Sequence, residues 1–160
     1  MGTDTPGASS GASGPGDIAA IDPGLFATLV RDATDDQLRE GLDANRELIL
    51  GEIFRRMPER FDSDRAAGVE AVVEWRILER PGGGYDAWHV ILSDGRCEVA
   101  EGRADAPSVV FEIKPVDFIR LITGNANGPK LFLFGQLKIR GNLVLAARMP
   151  TFFRIPGAEG

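Results

Sequence analysis

The period of hydrophobicity changes at Gly68, and this change constrains the fold more than any other feature of the chain. Before Gly68 the apolar residues recur at helical spacing, and after it they alternate with polar ones, which indicates a strand over residues 69–79. The residues on one face of that strand are Val69, Ala71, Val73, Trp75 and Ile77. Helices followed by a run of strands are typical of α+β folds.

The N-terminal third predicts a tail and two helices. Residues 1–21 are rich in Gly, Ser and Pro and nearly lack large apolar side chains, so we expect a disordered tail. Asp22-Pro23 is an N-cap followed by proline, which predicts a short helical extension over residues 22–33. Thr34-Asp35-Asp36-Gln37 is a capping box that begins a second helix.

That second helix should end near Met57-Pro58, because the residue before a proline disfavours the helical conformation. Its expected buried stripe is apolar apart from one amide and a terminal arginine. The stripe consists of Leu38, Leu42, Asn45, Ile49, Ile53 and Arg56.

Turn signals divide the middle of the chain into strands. A Pro-Gly-Gly-Gly loop at residues 81–84 leads to a return strand over 85–92, and Ser-Asp-Gly-Arg at 93–96 introduces a third strand. Alternation over residues 109–113 predicts the fourth. We expect these four strands to form an antiparallel meander.

Helical patterns return at residues 115–123 and 130–134, and a short fifth strand follows over 137–140. The predicted fold is α+β, with a five-stranded, mostly antiparallel sheet and helices packed on one face. We expect one domain over residues 22–156 and a flexible C-terminus over 157–160.

The charge of the chain is unevenly distributed. Its 160 residues carry a net charge of −6, made of −11 over residues 1–112 and +5 over residues 113–160. A pI near 4.8 argues against nucleic acid as a partner. The sequence contains neither a long apolar run nor a signal-peptide pattern, so we expect a cytoplasmic protein.

Catalytic and metal-binding signals are weak. His89 is the only histidine and lies in a predicted strand with no motif around it. Cys97 is the only cysteine, and no Cys/His cluster has zinc spacing. There is no second histidine to complete a dyad with this thiol. Arg96 beside Cys97 is a reason to consider a lowered thiol pKa, but a structural thiol is the better interpretation. We predict no catalytic residue, no metal site and no cofactor.

A motif in the last third of the chain resembles a known family. Phe118–Gly124 ends in glycine, Leu131–Asn142 contains Gly-Gln-Leu-Lys-Ile-Arg-Gly-Asn, and the apolar Leu143–Ala146 follows. This order is similar to that of the sterol carrier protein 2 (SCP-2) lipid-transfer family, closely over residues 105–149 and more loosely back to Leu38. The resemblance implies non-enzymatic binding and intracellular transfer of a fatty acid, fatty acyl-CoA or sterol-like molecule.

The resemblance also implies an apolar cavity between the sheet and the C-terminal helices. Lys130-Leu-Phe-Leu-Phe supports it independently, because a helix that is apolar on every side must be buried or line something. The ligand-binding residues that we expect are Val73, Trp75, Val90, Phe111, Phe118, Leu121, Phe132, Phe134, Ile139, Met149, Phe152 and Phe153.

Two features depart from the family pattern. Members often have a polar residue, commonly Gln, immediately before the glycine that corresponds to Gly135, and this chain has Phe134 at that position. The last residues, Gly-Ala-Glu-Gly, do not resemble the peroxisomal tripeptide of eukaryotic relatives. Together with 15 Arg against 3 Lys, this ending favours a bacterial, cytosolic protein.

Alternatives stay open at this point. The basic C-terminal third either contacts an anionic membrane transiently or only solubilises the surface. The apolar segment 143–155 is either a lid or a permanent closure of the core. The domain itself is a carrier, a regulatory interaction module with a filled core, or a small lyase or isomerase using His89 or a buried carboxylate. A void of about 300 Å³ or more favours a carrier over a filled core.

Overall fold

The computed structural model describes residues 22–154 as six helical segments and five strands. The predictions for the tail over 1–21 and for residues 157–160 lie outside this part of the chain. The elements in chain order are α1 Pro23–Asp32, α2 Asp35–Arg60, β1 Ala71–Ile77, β2 Asp86–Ser93, β3 Arg96–Glu101, β4 Val109–Ile113, α3 Pro115–Ile122, α4 Gly128–Leu133, β5 Leu137–Gly141, α5 Leu143–Arg148 and a 3-10 helix Met149–Phe152.

Both N-terminal helices begin where their capping residues predict. The Asp22 carboxylate accepts hydrogen bonds from the backbone N–H groups of Gly24 and Leu25. The Thr34 hydroxyl accepts from the Gln37 N–H at 3.1 Å, and the Gln37 side chain accepts from the Thr34 N–H at 2.9 Å. Because both bonds of the capping box are present, its prediction is confirmed.

Helix α2 differs from its prediction in its buried face and in its end. Asn45 has non-helical dihedral angles (φ −140°, ψ 33°), and beyond this kink the deeply buried face contains Arg46, Leu50 and Phe54. After Leu42 the most deeply buried face is therefore shifted by one residue from the predicted stripe, although Ile49 and Ile53 of that stripe are half-buried and pack against the same core. A kink changes the rotation of everything that follows it, which periodicity alone does not reveal. The helix also continues past Pro58 to its end at Arg60.

The sheet has the strand order β3-β2-β1-β4-β5. Strands β1, β2 and β3 pair as consecutive antiparallel neighbours, and β5 pairs antiparallel with β4. Strand β4, however, runs parallel to β1, with Trp75 opposite Phe111. The expected four-stranded meander was wrong at its last strand, whereas the mostly antiparallel five-stranded sheet is confirmed.

The connection between β3 and β4 explains this parallel pairing. The Gly102 N–H donates to the Ala87 carbonyl of β2, and the Ser108 N–H donates to the Val72 carbonyl of β1 at 2.7 Å. Between them, the Ala104 N–H donates to the Glu74 carboxylate at 2.9 Å. The connection thus crosses back over β2 and β1, and it delivers β4 to the far edge of β1.

Glu74 is buried, and its carboxylate forms an ion pair with Arg76 at 2.7 Å. Arg76 also pairs with Glu112 at 3.2 Å, and Arg103 approaches Glu74 at 3.9 Å. Burial alone would raise the pKa of Glu74. The hydrogen bonds from Arg76 and Ala104, with the charges of the two arginines, outweigh burial and hold this pKa below its usual value.

We expect Glu74→Gln to destabilise the fold by about 3 kcal/mol at neutral pH, because it leaves Arg76, whose side chain is only 15% exposed, without one of its carboxylates. The lowered pKa means that the ionised group stabilises the fold above its unfolded-state pKa, and that this contribution is lost as the pH falls through the folded-state value. Urea unfolding at neutral pH and at pH about 3 measures the difference. A gap between wild type and variant that widens in acid would contradict this role.

Two glycines of the family motif have structural reasons to be glycine. Gly141 has φ +101°, and a Cβ on it would lie 2.5 Å from the Ser108 carbonyl oxygen. Gly135 follows α4 with φ +79°, and the Gln136 N–H donates back to the Leu131 carbonyl at 2.8 Å, which closes the helix end.

Aromatic side chains form the centre of the core between α2, α3 and the sheet. The Phe54 ring stacks on Trp88 at 5.0 Å between centroids and on Phe118 at 5.3 Å. Trp75 stacks on Phe111 at 4.5 Å. Phe54, Trp88 and Phe118 thus pack closely together, whereas the Trp75–Phe111 pair borders a space between helices and sheet that is not filled.

Candidate functional site

A cavity of about 460 Å³ lies between the sheet and the helices. Its floor comes from β1, β4 and β5, and its walls come from the C-terminal half of α2, from α3, α4 and α5, and from the 3-10 helix. Some lining residues, including Phe132 and Leu143, are also exposed to solvent. The cavity therefore reaches solvent beside α4 and α5, among other places on its lining.

The lining is apolar over most of its surface. Trp75 and Phe111 form part of the floor. The indole N–H of Trp75 is buried without a hydrogen-bond partner among residues 22–154. The other apolar lining residues are Pro23, Ile53, Met57, Leu121, Ile122, Gly128, Pro129, Phe132, Leu137, Ile139, Leu143, Ala146, Ala147, Met149, Pro150 and Phe153.

Polar groups lie in two places on the lining. Thr123 is buried, and its hydroxyl donates to the Ile119 carbonyl at 2.7 Å. The charged lining residues are Arg56, Glu59, Arg60 and Arg154. Arg60 Nε donates to the Arg154 carbonyl at 2.7 Å, and the Arg154 guanidinium donates to the Glu59 carbonyl at 3.3 Å. These bonds fasten the end of α2 to the segment after the 3-10 helix.

Seven of the twelve residues expected to bind ligand lie on this cavity. They are Trp75, Phe111, Leu121, Phe132, Ile139, Met149 and Phe153. Strands β1, β4 and β5 and helices α3 and α4 bring the first five together, and the C-terminal segment contributes the last two.

The other five expected residues do not line the cavity. Val73, Val90, Phe118 and Phe152 have no exposed surface and pack within the core. Phe134, by contrast, lies on the protein surface, because 72% of it is exposed to solvent. The apolar segment 130–134 was expected to be buried or to line a cavity on all of its sides. This expectation is wrong at Phe134 and at its neighbour Leu133, which is 75% exposed.

Sequence reasoning missed the contribution of α2. Ile53, Arg56 and Met57 line the cavity, although their pattern was interpreted as a face against the core. An apolar stripe that ends in arginine was the available signal. Pro23 of α1 also reaches the lining, and no sequence signal pointed to it.

The candidate reactive groups lie elsewhere. The His89 ring contacts the Gly102 carbonyl through Nδ1 at 2.9 Å and does not line the cavity. Burial, with a contribution from Glu98, raises the pKa of the Cys97 thiol to about 12, so the lowering considered for Arg96 does not occur. Within residues 22–154 there is no cluster of three metal-ligating side chains, and no helix there is long and apolar enough to span a membrane.

The sheet with helices on one face, and the apolar cavity between them, define a small α+β binding domain. Residues 50–154 match the SCP-2 sterol transfer family, and the chain belongs to this family.

Three relatives illustrate the extent of the similarity. Mouse peroxisomal multifunctional enzyme type 2 is 33% identical over 117 residues, which are 72% of this chain but only 16% of that protein. The oleate-induced peroxisomal protein POX18 of Candida maltosa is 26% identical over 69% of this chain and 87% of its own length. The solution structure of sterol carrier protein domain 2 of Helicoverpa armigera has a TM-score of 0.54 at 25% identity, covering 65% of this chain and 82% of that one.

Proposed function

We propose that this protein binds an apolar lipid in the cavity and transfers it without catalysing a reaction on it. The observation that carries the proposal is a void of about 460 Å³ with an almost wholly apolar lining. This volume is within the usual range of small-molecule sites, and it exceeds the roughly 300 Å³ that distinguishes a carrier from a domain with a filled core.

The cargo that fits best is a fatty acid or fatty acyl-CoA, with a sterol-like molecule as the other member of the class. Arg56, Arg60 and Arg154 lie on the lining, and guanidinium groups bind carboxylates and phosphates well. An apolar chain would lie against the sheet, with its anionic group near these arginines. Oleate induction in the name of the Candida relative agrees with cargo of the fatty-acid class.

The energetics suit a carrier. A ligand that buries about 400 Å² of apolar area gains roughly 10 kcal/mol before the losses on association. Lost freedom removes roughly 4 to 15 kcal/mol of that gain. With the smallest of these losses about 6 kcal/mol remains, which corresponds to a Kd of about 40 μM from apolar burial alone. Contacts between an anionic group and the arginines would tighten the affinity toward micromolar, where both loading and release are possible.

The proposal includes a cytoplasmic location and transient contact with anionic membranes. A lone cysteine with no disulfide partner is ordinary in a reducing compartment. The +5 charge of residues 113–160 favours an anionic lipid surface. A lyase or isomerase that uses His89 receives no support from the geometry, because His89 does not line the cavity.

Filling the cavity tests the site. Ala146 is buried in α5 on the lining, so Ala146→Trp places an indole where the cargo would lie. We expect fluorescent fatty acid affinity to fall by about tenfold or more, with about 1–3 kcal/mol of overpacking cost to stability. Ala44→Trp is the matched control, because Ala44 is exposed on α2 and does not line the cavity. Equal affinity of both variants would place the cargo elsewhere.

A further inference from the structure

An exposed apolar surface projects from α4 and the start of α5. Leu133, Phe134 and Val144 are 75%, 72% and 73% exposed, and Phe132 and Leu143 are about half exposed. We call these five residues the apolar tip. Single exposed apolar side chains are ordinary, but a group of large ones on two consecutive helices marks an interaction surface.

The apolar tip lies at the opening of the cavity. Phe132 and Leu143 line the cavity and also reach solvent, so they form part of its edge. Leu133 and Phe134 follow Phe132 directly, and Val144 follows Leu143, and none of these three lines the cavity. One side of the tip therefore faces the cargo site and the other faces outward.

Cationic side chains accompany the tip. Residues 120–154 contain six Lys and Arg residues and no Asp or Glu. Lys130 on α4 and Lys138 on β5 are exposed, and neither forms an ion pair within residues 22–154. Arg148 of α5 is exposed as well, with its guanidinium 5.2 Å from the Phe152 ring centroid. An apolar projection flanked by unopposed cations complements an anionic bilayer, which offers both acyl chains and phosphates.

A second exposed apolar pair serves as a contrast. Leu25 and Leu29 of α1 are about half exposed. The arginines near this pair are engaged by carboxylates, since Arg31 pairs with Asp32 at 3.0 Å and Arg39 pairs with Asp36 at 2.9 Å. Within residues 22–154 this pair therefore has no unopposed cation beside it to bind lipid phosphates, so apolar exposure alone does not select the docking surface.

We propose that the apolar tip inserts into the surface of an anionic membrane, with Leu133, Phe134 and Val144 among the lipid chains and Lys130 and Lys138 at the phosphates. Docked in this way, the cavity opens toward the bilayer, and cargo moves between membrane and protein without crossing bulk water. The docking itself needs only the tip and its cations. The role in cargo exchange rests on the proposed function.

Vesicle co-sedimentation tests the docking. Wild type should bind vesicles of phosphatidylglycerol and phosphatidylcholine, and the binding should weaken with added salt or on pure phosphatidylcholine. The double variant Leu133→Asp/Val144→Asp should lose about tenfold or more of this binding. Lys130→Gln should lose about fivefold. Leu29→Asp, the same kind of change on α1, should bind like wild type.

Fluorescent fatty acid titration in solution keeps the two proposals separate. The double variant should retain wild-type fatty acid affinity within about twofold, which also shows that it is folded. Vesicle binding that survives in the double variant, or that falls equally in Leu29→Asp, would overturn the docking surface. Wild type that binds vesicles but no fatty acid would leave the docking surface in place and contradict the carrier.

Discussion

Phe132→Asp should weaken fatty acid binding by about 30-fold or more, equivalent to about 2 kcal/mol, while leaving the free protein folded. Phe132 lines the cavity but is 45% exposed, so water can solvate the new carboxylate when no cargo is present. Cargo removes that water and leaves a charge against an apolar chain. A fluorescent fatty acid titration measures the loss.

Phe134→Asp is the matched control for this experiment. The substitution is the same, the two positions are two residues apart, and Phe134 does not line the cavity. We expect its affinity for a fluorescent fatty acid in solution to stay within about twofold of wild type. An equal loss of affinity in both variants would contradict the assignment of Phe132, but not Phe134, to the lining of the cargo site.

Arg46→Met should destabilise the fold by about 3–5 kcal/mol, because Arg46 is a buried cation on α2 that hydrogen-bonds to the carbonyls at the end of β1. Its Nε atom lies 2.7 Å from Asp86 Oδ2, and its terminal nitrogens donate to the carbonyls of Ile77 and Leu78 at 2.8 Å and of Glu79 at 3.2 Å. Methionine retains much of the volume but none of the donors. Urea unfolding measures the loss.

Arg39→Met provides the comparison for Arg46. Arg39 lies on the same helix and pairs with Asp36 at 2.9 Å, but both side chains are mostly exposed. An exposed pair of this kind contributes about 0.5 kcal/mol or less. Similar unfolding midpoints for the two variants would show that Arg46 does not fasten α2 to the sheet.

Local signals explain why the order of helices and strands was predictable. The side chains of Asp22 and Thr34 cap the helices that their sequences predict. Asn142 caps α5 in the same way, accepting from the Leu145 N–H at 2.9 Å, although this segment was predicted only as an apolar lid or closure. Each of these hydrogen bonds joins residues two or three positions apart, so a short stretch of sequence is enough to predict the helix start.

The position of β4 was not predictable in the same way, because strand pairing depends on contacts distant in sequence. Glu74 lies on the polar face of β1, where a carboxylate resembles an ordinary solvated side chain. In the fold Glu74 is buried, and its carboxylate accepts a hydrogen bond from the Ala104 N–H in the connection to β4. Nothing in the alternating pattern distinguishes these two situations.

The candidate site was partly predictable for a related reason. Alternation identifies the face of the sheet that the helices cover, and Val73 and Trp75 do share that face. Alternation does not show which part of that face the helices pack against and which part borders a cavity. Val73 is buried beneath the packed end, and Trp75 borders the open end. The predicted stripe of α2 likewise contained Ile53 and Arg56, which line the cavity, but periodicity does not distinguish a helix face on a cavity from one packed on the core.

Native mass spectrometry of the purified protein tests the carrier proposal most directly. We expect a population with additional mass, which extraction with organic solvent identifies as a fatty acid, an acyl-CoA or a sterol-like lipid and which excess fatty acid displaces. The same preparation of Ala146→Trp should have lost most of that population, because the indole occupies the cavity. A wild-type protein that carries no lipid, and that takes up none at micromolar concentrations of fluorescent fatty acid, would contradict the proposed function.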